Sequence, residues 1–212
     1  MGLTENLKNE NADLWNKILN HKFILEMGEA TLPLEKFTYY LSQDSYYLDG
    51  LLKTFAYASA KAPTRDLTKF FAELIVETVK GEIAMQDKIR SIVEVKPKPV
   101  NNVCKDYVEY LLKVGVEDGF YEIVSSTLPC MWTYQLIGEK LKKSKGAKHK
   151  VYGIWIKEYS SKGYGKLVDE MRRVVDEAEE KLSQETLNMI RKHFKVCSEY
   201  ELKFWDMAYN PL

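Results

Sequence analysis

The sequence is poor in chain-breaking residues and in cysteine. Its 11 glycines and 6 prolines make up about 8% of 212 residues, below the roughly 12% of an ordinary protein, which favours long helices. The three cysteines, Cys104, Cys130 and Cys197, are odd in number, widely spaced and form no Cys-x-x-Cys pair. This pattern excludes a disulfide framework and a zinc knuckle, and it predicts a reducing compartment.

An excess of one charge sign and a long hydrophobic run are also missing. The 31 basic and 31 acidic residues give a formal net charge of zero, so there is no basic surface suited to a phosphate backbone. The longest apolar runs, such as 128–132 and 151–156, are far shorter than a bilayer span, and residues 1–10 lack the apolar core of a signal peptide. We therefore expect no nucleic-acid partner and no membrane partner, and we predict a cytoplasmic protein.

Apolar residues recur at spacings of three and four along nearly the whole chain, whereas two-residue alternation is almost absent. This periodicity predicts an all-α helical bundle, and the absence of a linker predicts a single domain over residues 1–212. Breaks are expected at Pro63, at 96–99, and at a loop marked by Gly163 and Gly165. The predicted helices cover 4–19, 33–62, 64–93, 101–116, 120–143, 149–159, a segment ending near 182, and 183–209, with Thr64, Asn101 or Asn102, and Ser183 as N-caps.

Two of the predicted helices carry a charge on their apolar face. In the helix over 33–62, a stripe of apolar residues at alternating three and four spacings contains Asp44. The last predicted helix repeats the pattern with Glu201. Carboxylates are rarely fully buried without partners, because an isolated charge in an apolar setting costs several kcal/mol or else takes up a proton. Asp44 and Glu201 are therefore candidate functional residues.

Two interpretations of these carboxylates are open at this point. Each can hydrogen-bond a tyrosine or pair with a basic residue of another helix, which would serve structural specificity alone. Alternatively, both line a pocket for a polar, nitrogen-rich small molecule. Tyr40 and Tyr47 flank Asp44 along its helix and offer rings that can stack on a flat ligand.

Cys130 lies on a further helical stripe, where a cysteine is most often a small core residue. The preceding Pro129 cannot donate to the carbonyl of Ser125, so we expect the helix to kink or bulge just before the thiol. Such distortions often accompany functional sites. Cys130 is therefore the third candidate, whereas Cys104 and Cys197 have no comparable local feature.

Motifs for metals and nucleotides are absent. None of His21, His149 and His193 stands three residues after a glutamate, so the Glu-x-x-His pattern of di-iron bundles is missing. There is no Gly-x-Gly-x-x-Gly and no Gly-x-Ser-x-Gly, and a leucine follows the Gly165-Lys166 pair where a P-loop needs Ser or Thr. We expect neither a bound metal nor nucleotide-dependent chemistry.

Three segments resemble the signature regions of the TenA, or thiaminase II, family, and they occur in the family's order. They are 43–48 (QDSYYL), 125–134 (SSTLPCMWTY) and 201–209 (ELKFWDMAY). The resemblance extends over nearly the whole chain and, because Cys130 is present, it is to the cysteine-bearing branch. It implies an all-helical fold like that of haem oxygenase, a homotetramer and no cofactor.

The resemblance also implies hydrolysis at the aminomethyl carbon of a 4-amino-2-methylpyrimidine. The implied substrate is 4-amino-5-aminomethyl-2-methylpyrimidine, a thiamin breakdown product that becomes the hydroxymethylpyrimidine used for thiamin synthesis; thiamin can also be cleaved. In this assignment Cys130 is the nucleophile that adds to C6, Asp44 holds the 4-amino group and N3, and Glu201 handles protons at the leaving amine and the water. The positions that match residues stacking on or bordering the ring are Tyr47, Tyr107, Tyr134, Tyr159 and Phe204.

One departure from the family pattern is visible. Many members carry a Glu-Leu-His run in the third helix, where residues 84–86 of this chain read Ala-Met-Gln. A role for that histidine is not transferable, and we expect the change to leave the set of Cys130, Asp44 and Glu201 untouched while shifting substrate preference.

Two other functions are open on the sequence. A non-catalytic protein could retain the pocket and bind a thiamin-related pyrimidine or, with His21 near the first helix, haem. Such binding would not require the complete set of Cys130, Asp44 and Glu201. A purely structural bundle would instead pair the interior carboxylates with Arg or Lys and leave no cavity between them.

Overall fold

The protein is described by a computed structural model that covers residues 2–211. These residues form eleven α-helices and no β-strand, so the predicted all-α fold is confirmed. The helices are α1 (Leu3–Glu10), α2 (Ala12–Leu19), α3 (Lys22–Glu29), α4 (Leu34–Lys61), α5 (Arg65–Thr78), α6 (Ala84–Arg90), α7 (Asn102–Glu117), α8 (Phe120–Leu141), α9 (Tyr152–Tyr159), α10 (Lys162–Asp176) and α11 (Gln184–Tyr209). A π-helical turn, Val79–Ile83, joins α5 to α6, and short 3₁₀ turns lie at Gly146–Lys148 and Glu179–Lys181.

Helices α4, α8 and α11 form the centre of the bundle. The most extensive contact is between α8 and α11, and α4 packs against both of them as well as against α5 and α7. Helices α9 and α10 pack on α8, and α2 and α7 pack on α11. The three helices that carry the candidate residues are therefore direct neighbours, and a contiguous core rich in aromatic rings fills the space between them.

The aromatic core fixes the relative positions of these helices. Trp205 of α11 stacks on Tyr40 of α4 and on Tyr134 of α8, with ring centroids 5.3 Å apart in each pair. Such pairs contribute about 0.5–1.5 kcal/mol beyond the burial of their area. The backbones of helices α8 and α9 are in contact at Gly138, where an added Cβ atom would lie 2.5 Å from the carbonyl carbon of Tyr159. Only glycine permits this approach, which holds Tyr159 against α8.

The longest predicted helices are confirmed with their N-caps. Helices α4, α7, α8 and α11 lie within a few residues of the predicted bounds. The side-chain oxygens of Thr64, Asn101 and Ser183 accept hydrogen bonds from backbone amides at distances between 3.0 and 3.3 Å. These caps satisfy amides that have no partner within the first turn of a helix.

Three local predictions were wrong. The helix predicted over 4–19 is interrupted at Asn11, whose side chain donates to the carbonyl of Leu7 at 2.8 Å and so competes with the backbone. Helix α3 was not predicted at all. Gly163 and Gly165 do not form a loop but lie in the first turns of α10, because Ser161 caps that helix and its Tyr164 side chain is buried.

The helix predicted over 64–93 contains a distortion that was not predicted. Helix α8 runs as one element from Phe120 to Leu141 with Pro129 inside it. A π-helical turn instead interrupts the segment between α5 and α6. Among residues 2–211, no helix is both long enough and apolar enough to cross a bilayer.

Candidate active site

The structure brings the three candidate residues into one buried region. The exposed fraction is 3% for Asp44 on α4, 3% for Cys130 on α8 and 2% for Glu201 on α11. The Cys130 thiol lies close enough to the carboxyl group of Glu201 and to the hydroxyl of Tyr47 to influence their pKa values. The two interrupted stripes and the stripe of Cys130 therefore converge on the same interior site.

Glu201 is held by a tyrosine. The Tyr107 hydroxyl donates to Glu201 Oε1 at 2.8 Å, and its ring stacks on Tyr200 with centroids 4.9 Å apart. Burial raises the pKa of Glu201 to about 8, although the bond from Tyr107 opposes this change. At neutral pH the group consequently holds a proton for much of the time, which suits it to act as an acid.

Asp44 is held by an amide. The Gln86 side chain donates from Nε2 to Asp44 Oδ2 at 2.7 Å. Burial raises the pKa of Asp44 to about 7, opposed by the effects of Tyr40, Gln86 and the Arg90 charge. The expectation that the change at position 86 leaves the predicted set untouched was therefore wrong, because the Gln86 side chain, 42 residues further along the chain, hydrogen-bonds Asp44.

A third buried carboxyl group, that of Glu82, was missed in the sequence. It lies in the π-helical turn, is 4% exposed, and accepts a hydrogen bond from the Tyr159 hydroxyl at 2.8 Å. Burial raises the pKa of Glu82 to about 8, and the nearby Asp44 adds to the effect. Its signal in the sequence was a stripe of the same kind, in which Glu82 follows Leu74 and Thr78 at spacings of four.

The aromatic residues implied by the family resemblance surround these groups. The ring centroids of Tyr47 lie 4.9 Å from Tyr107 and 5.9 Å from Phe204. Those of Tyr134 and Tyr159 are 4.9 Å apart. All five are buried, and the Tyr47 hydroxyl has no hydrogen-bond partner of normal geometry. An orphaned buried hydroxyl beside a thiol is a place where a polar ligand atom would be stabilised.

The site is acidic, and the charge of Arg90 acts on Asp44 without forming an ion pair with it. None of the ion pairs formed within residues 2–211 includes Asp44, Glu82 or Glu201. Pairing with Arg or Lys, which a purely structural bundle requires, is therefore contradicted, whereas the hydrogen bond to a tyrosine is present for Glu201. Burial, together with Glu201 and Glu82, raises the pKa of the Cys130 thiol well above its ordinary value. The thiol is protonated at rest and needs a nearby base before it can attack.

Three further features bear on access to the site and on the binding of a metal or haem. A surface cavity of about 340 Å³ borders the site through Glu82, Met131 and Tyr164. Within residues 2–211 no group of three or more His, Cys, Asp or Glu side chains is arranged to hold a metal ion. His21, considered above for haem, caps α3 by accepting from the amide of Phe23, and its second ring nitrogen lies 3.2 Å from Asp206.

Fold and site together define an all-helical protein with an enclosed, aromatic and acidic site built around one thiol. The chain belongs to the TENA/THI-4/PQQC family, since the sequence model of that family matches residues 9–211. An aminopyrimidine aminohydrolase from Helicobacter pylori is 29% identical, with 99% of this chain and 100% of the relative covered. The enzyme of that name from Bacillus subtilis strain 168 is 30% identical, with 99% and 91% covered.

Solved structures show the same likeness. The X-ray structure of a TenA homologue from Pyrococcus furiosus superposes with a TM-score of 0.91 at 30% identity, covering 97% of this chain and 99% of that one. A TenA homologue from Pyrococcus horikoshii OT3 gives a TM-score of 0.88 at 28% identity, with 99% of both chains covered. The resemblance drawn from the three sequence segments is thereby confirmed, as is the helical fold it implied.

Proposed function

We propose that the protein is an aminopyrimidine aminohydrolase of the thiaminase II type. Its substrate would be 4-amino-5-aminomethyl-2-methylpyrimidine, with thiamin as a second substrate, and its product the hydroxymethylpyrimidine used again in thiamin salvage. The observation that carries the proposal is the buried Cys130 thiol, which lies close enough to the carboxyl groups of Asp44 and Glu201 to feel their charges, inside a tyrosine-lined site. Full-length relatives named aminopyrimidine aminohydrolase support it.

The first half of the reaction forms a covalent adduct. Glu201 in its ionised form accepts the proton of the Cys130 thiol, and the thiolate adds to C6 of the pyrimidine. The electron pair of the C5–C6 double bond moves to form an exocyclic double bond at C5 as the bond between methylene carbon and nitrogen breaks. The protonated Glu201 then gives its proton to the departing amine, which leaves as ammonia.

The second half reverses the adduct. Water adds to the exocyclic methylene and passes one proton to Glu201, so the new carbon–oxygen bond forms without a free hydroxide. The electron pair of the exocyclic bond restores the C5–C6 double bond and expels the thiolate, which takes the proton back. Throughout, Asp44 holds the 4-amino group and N3, and it stabilises the charge that the ring gains and loses.

Cys130→Ser tests this function against a matched control. We expect turnover of the aminomethylpyrimidine, followed by chromatography of the hydroxymethyl product, to fall by more than about a thousandfold. Cys104→Ser changes another buried thiol, which donates to the backbone carbonyl of Gln43, and it should retain activity. Near-normal turnover by Cys130→Ser would remove the thiol from the mechanism. No product from the unmodified protein, together with tight pyrimidine binding, would favour a non-catalytic binding protein.

The domain organisation, assembly, location and cofactor requirement of the protein are part of the same proposal. We propose that residues 1–212 act as a single helical domain, that the protein assembles as a homotetramer in the cytoplasm, and that it works without a cofactor. Sedimentation of the purified protein tests the assembly, because a monomer or dimer at micromolar concentration would contradict the tetramer.

A further inference from the structure

The contacts of Gln86 favour one orientation of its side-chain amide. The Arg90 guanidinium has only donors, and its Nη2 lies 3.4 Å from Gln86 Oε1, which favours an oxygen over an NH₂ group at that position. The Ser45 hydroxyl has one proton and two acceptors within reach, and Gln86 Oε1 at 2.7 Å is nearer than the Leu41 carbonyl at 3.0 Å. The amide nitrogen is then left to donate to Asp44 Oδ2 at 2.7 Å. A flipped amide would place its NH₂ group against the guanidinium and leave Asp44 without this donor.

Two acceptors on helix α4 hold the Arg90 guanidinium in place beside Gln86. Arg90 Nη2 donates to the Ser45 hydroxyl at 2.5 Å and to the carbonyl of Leu41 at 3.3 Å, which anchors the guanidinium on the helix that carries Asp44. Gln86 is only 3% exposed, so water does not compete for its amide. The donor is consequently preorganised, and its direction does not depend on a ligand being present.

This arrangement makes the two oxygens of Asp44 different. Because Oδ2 accepts from the amide, a proton taken up by Asp44 resides on Oδ1. A 4-aminopyrimidine offers one donor, the amino group, beside one acceptor, N3. Asp44 with its proton on Oδ1 offers the complementary pair, an acceptor at Oδ2 and a donor at Oδ1.

We propose that Gln86 is a positioning residue that fixes which oxygen of Asp44 carries a proton, and thereby the orientation in which the aminopyrimidine edge binds. The identity of the ligand in this inference rests on the proposed function. Glutamine does not titrate, so the donor to Oδ2 is present at every pH at which the protein is folded. A histidine at this position would lose or gain a proton in the same range as Asp44.

Other groups also act on the charge of Asp44, but the Tyr40 hydroxyl donates to Tyr134 at 3.3 Å, and within residues 2–211 Gln86 alone donates to Oδ2 with normal geometry. Tyr40 and Gln86 oppose the rise in the pKa of Asp44, and so does the Arg90 charge. The titratable groups that are electrostatically coupled to it from the other elements are Glu82 of the π-helical turn, Cys104 of α7, Cys130 and Tyr134 of α8, Tyr159 of α9 and Glu201 of α11.

The experiment compares Gln86→Met with Gln43→Met. Methionine keeps the volume at position 86 but has no donor. The donor of Gln86 stabilises the ionised form of Asp44, so its loss raises the pKa of Asp44. The limb of the pH profile of kcat/KM that reports Asp44 should therefore move to higher pH by about half a unit or more. Gln43 is an equally buried glutamine whose amide instead contacts Pro99 and Asn101, so Gln43→Met should leave that limb in place. A lower kcat/KM for Gln86→Met without movement of the limb would show a merely structural role and overturn the proposal.

A second readout separates this inference from the proposed function. The carboxyl carbon of Asp44, assigned by its absence in Asp44→Asn, can be titrated by ¹³C NMR in the ligand-free protein. We expect Gln86→Met to raise its midpoint, and Ser45→Ala, which loosens Oε1, to raise it less. If the unmodified protein neither turns over nor binds the pyrimidine, the proposed function fails, while this titration still tests the coupling. An unchanged midpoint in both variants would refute the role of Gln86.

Discussion

Glu201 combines a cost in folding with a capacity for chemistry. Its carboxyl group is buried on α11, accepts from the Tyr107 hydroxyl, and has a pKa of about 8 because burial disfavours its charge. A carboxyl group with a pKa near the working pH can both accept and donate a proton. The property that makes Glu201 unfavourable in a core is thus the one that suits it to the proton transfers of the proposed reaction.

Glu201→Gln should abolish this proton exchange while keeping the shape of the side chain. The amide oxygen can still accept from Tyr107, so we expect the fold and pyrimidine binding to be retained and kcat to fall by about 10²–10⁴. Steady-state kinetics and calorimetry measure the two effects. Glu199→Gln, on the same helix and only half-buried, is the control. If both variants turn over equally, the assignment of Glu201 as acid and base is wrong.

At the level of secondary structure, the segment from the π-helical turn into α6 places two polar side chains at the site. Glu82 lies in the π-helical turn and Gln86 in the first turn of α6, and both are buried, where the first meets Tyr159 and the second meets Asp44. Such turns recur at functional sites, and here the turn supplies a partner to α9 while α6, which follows it directly, supplies a partner to α4. Helix α9 is positioned in turn by the close approach at Gly138.

Gly138→Ala tests this contact between α8 and α9. The added methyl group would lie 2.5 Å from the Tyr159 carbonyl carbon, so α9 must move, at a cost of about 1–3 kcal/mol in the free energy of unfolding by urea. KM for the pyrimidine should rise because Tyr159 shifts. At Gly163 the nearest atom would be 3.8 Å away, and Gly163→Ala should be neutral or stabilise α10 by up to about 1 kcal/mol. Equal stability of the two variants would argue against the tight contact.

On the scale of the whole molecule, folding gathers three carboxyl groups from α4, the π-helical turn and α11 into one apolar interior. Their ordinary pKa values of 3.8, 4.5 and 4.5 rise to about 7, 8 and 8 for Asp44, Glu82 and Glu201 respectively. The folded chain therefore binds more protons than the unfolded chain between about pH 4 and pH 8. Stability from these groups is highest below that window and decreases as pH rises through it.

Glu82→Gln should remove part of this pH dependence. The amide can still accept from Tyr159 but carries no charge, so its stability relative to the unmodified protein should increase between pH 5 and pH 8. The gain is on the order of a few kcal/mol, since each pKa unit corresponds to about 1.4 kcal/mol. Denaturant unfolding at several pH values measures it. A difference between the two proteins that stays constant with pH would mean that Glu82 does not titrate in this range.

Much of the site could be predicted from the sequence, because the residues that a helix buries recur along the chain with the helical period. Asp44 and Glu201 interrupt stripes that are otherwise apolar, and Pro129 drew attention to Cys130, although α8 proved continuous there. Glu82 lies on a stripe that the same test would have found. Gln86 could not be predicted in this way, because an uncharged polar residue beside apolar neighbours is common. Its importance to the site follows only from its contact with Asp44.

Local sequence pattern is enough to predict the all-helical class, the longest helices with their caps, and the inward-facing carboxyl groups of Asp44 and Glu201. These properties depend on local propensity and on the 3.6-residue period, which neighbouring residues along the chain set. Which partners meet follows only from the packing of the helices: Tyr107 with Glu201, Tyr159 with Glu82, and Gln86 with Asp44. Each of these bonds joins residues at least forty positions apart, and the pKa values of the site follow from burial among helices that the local pattern does not encode.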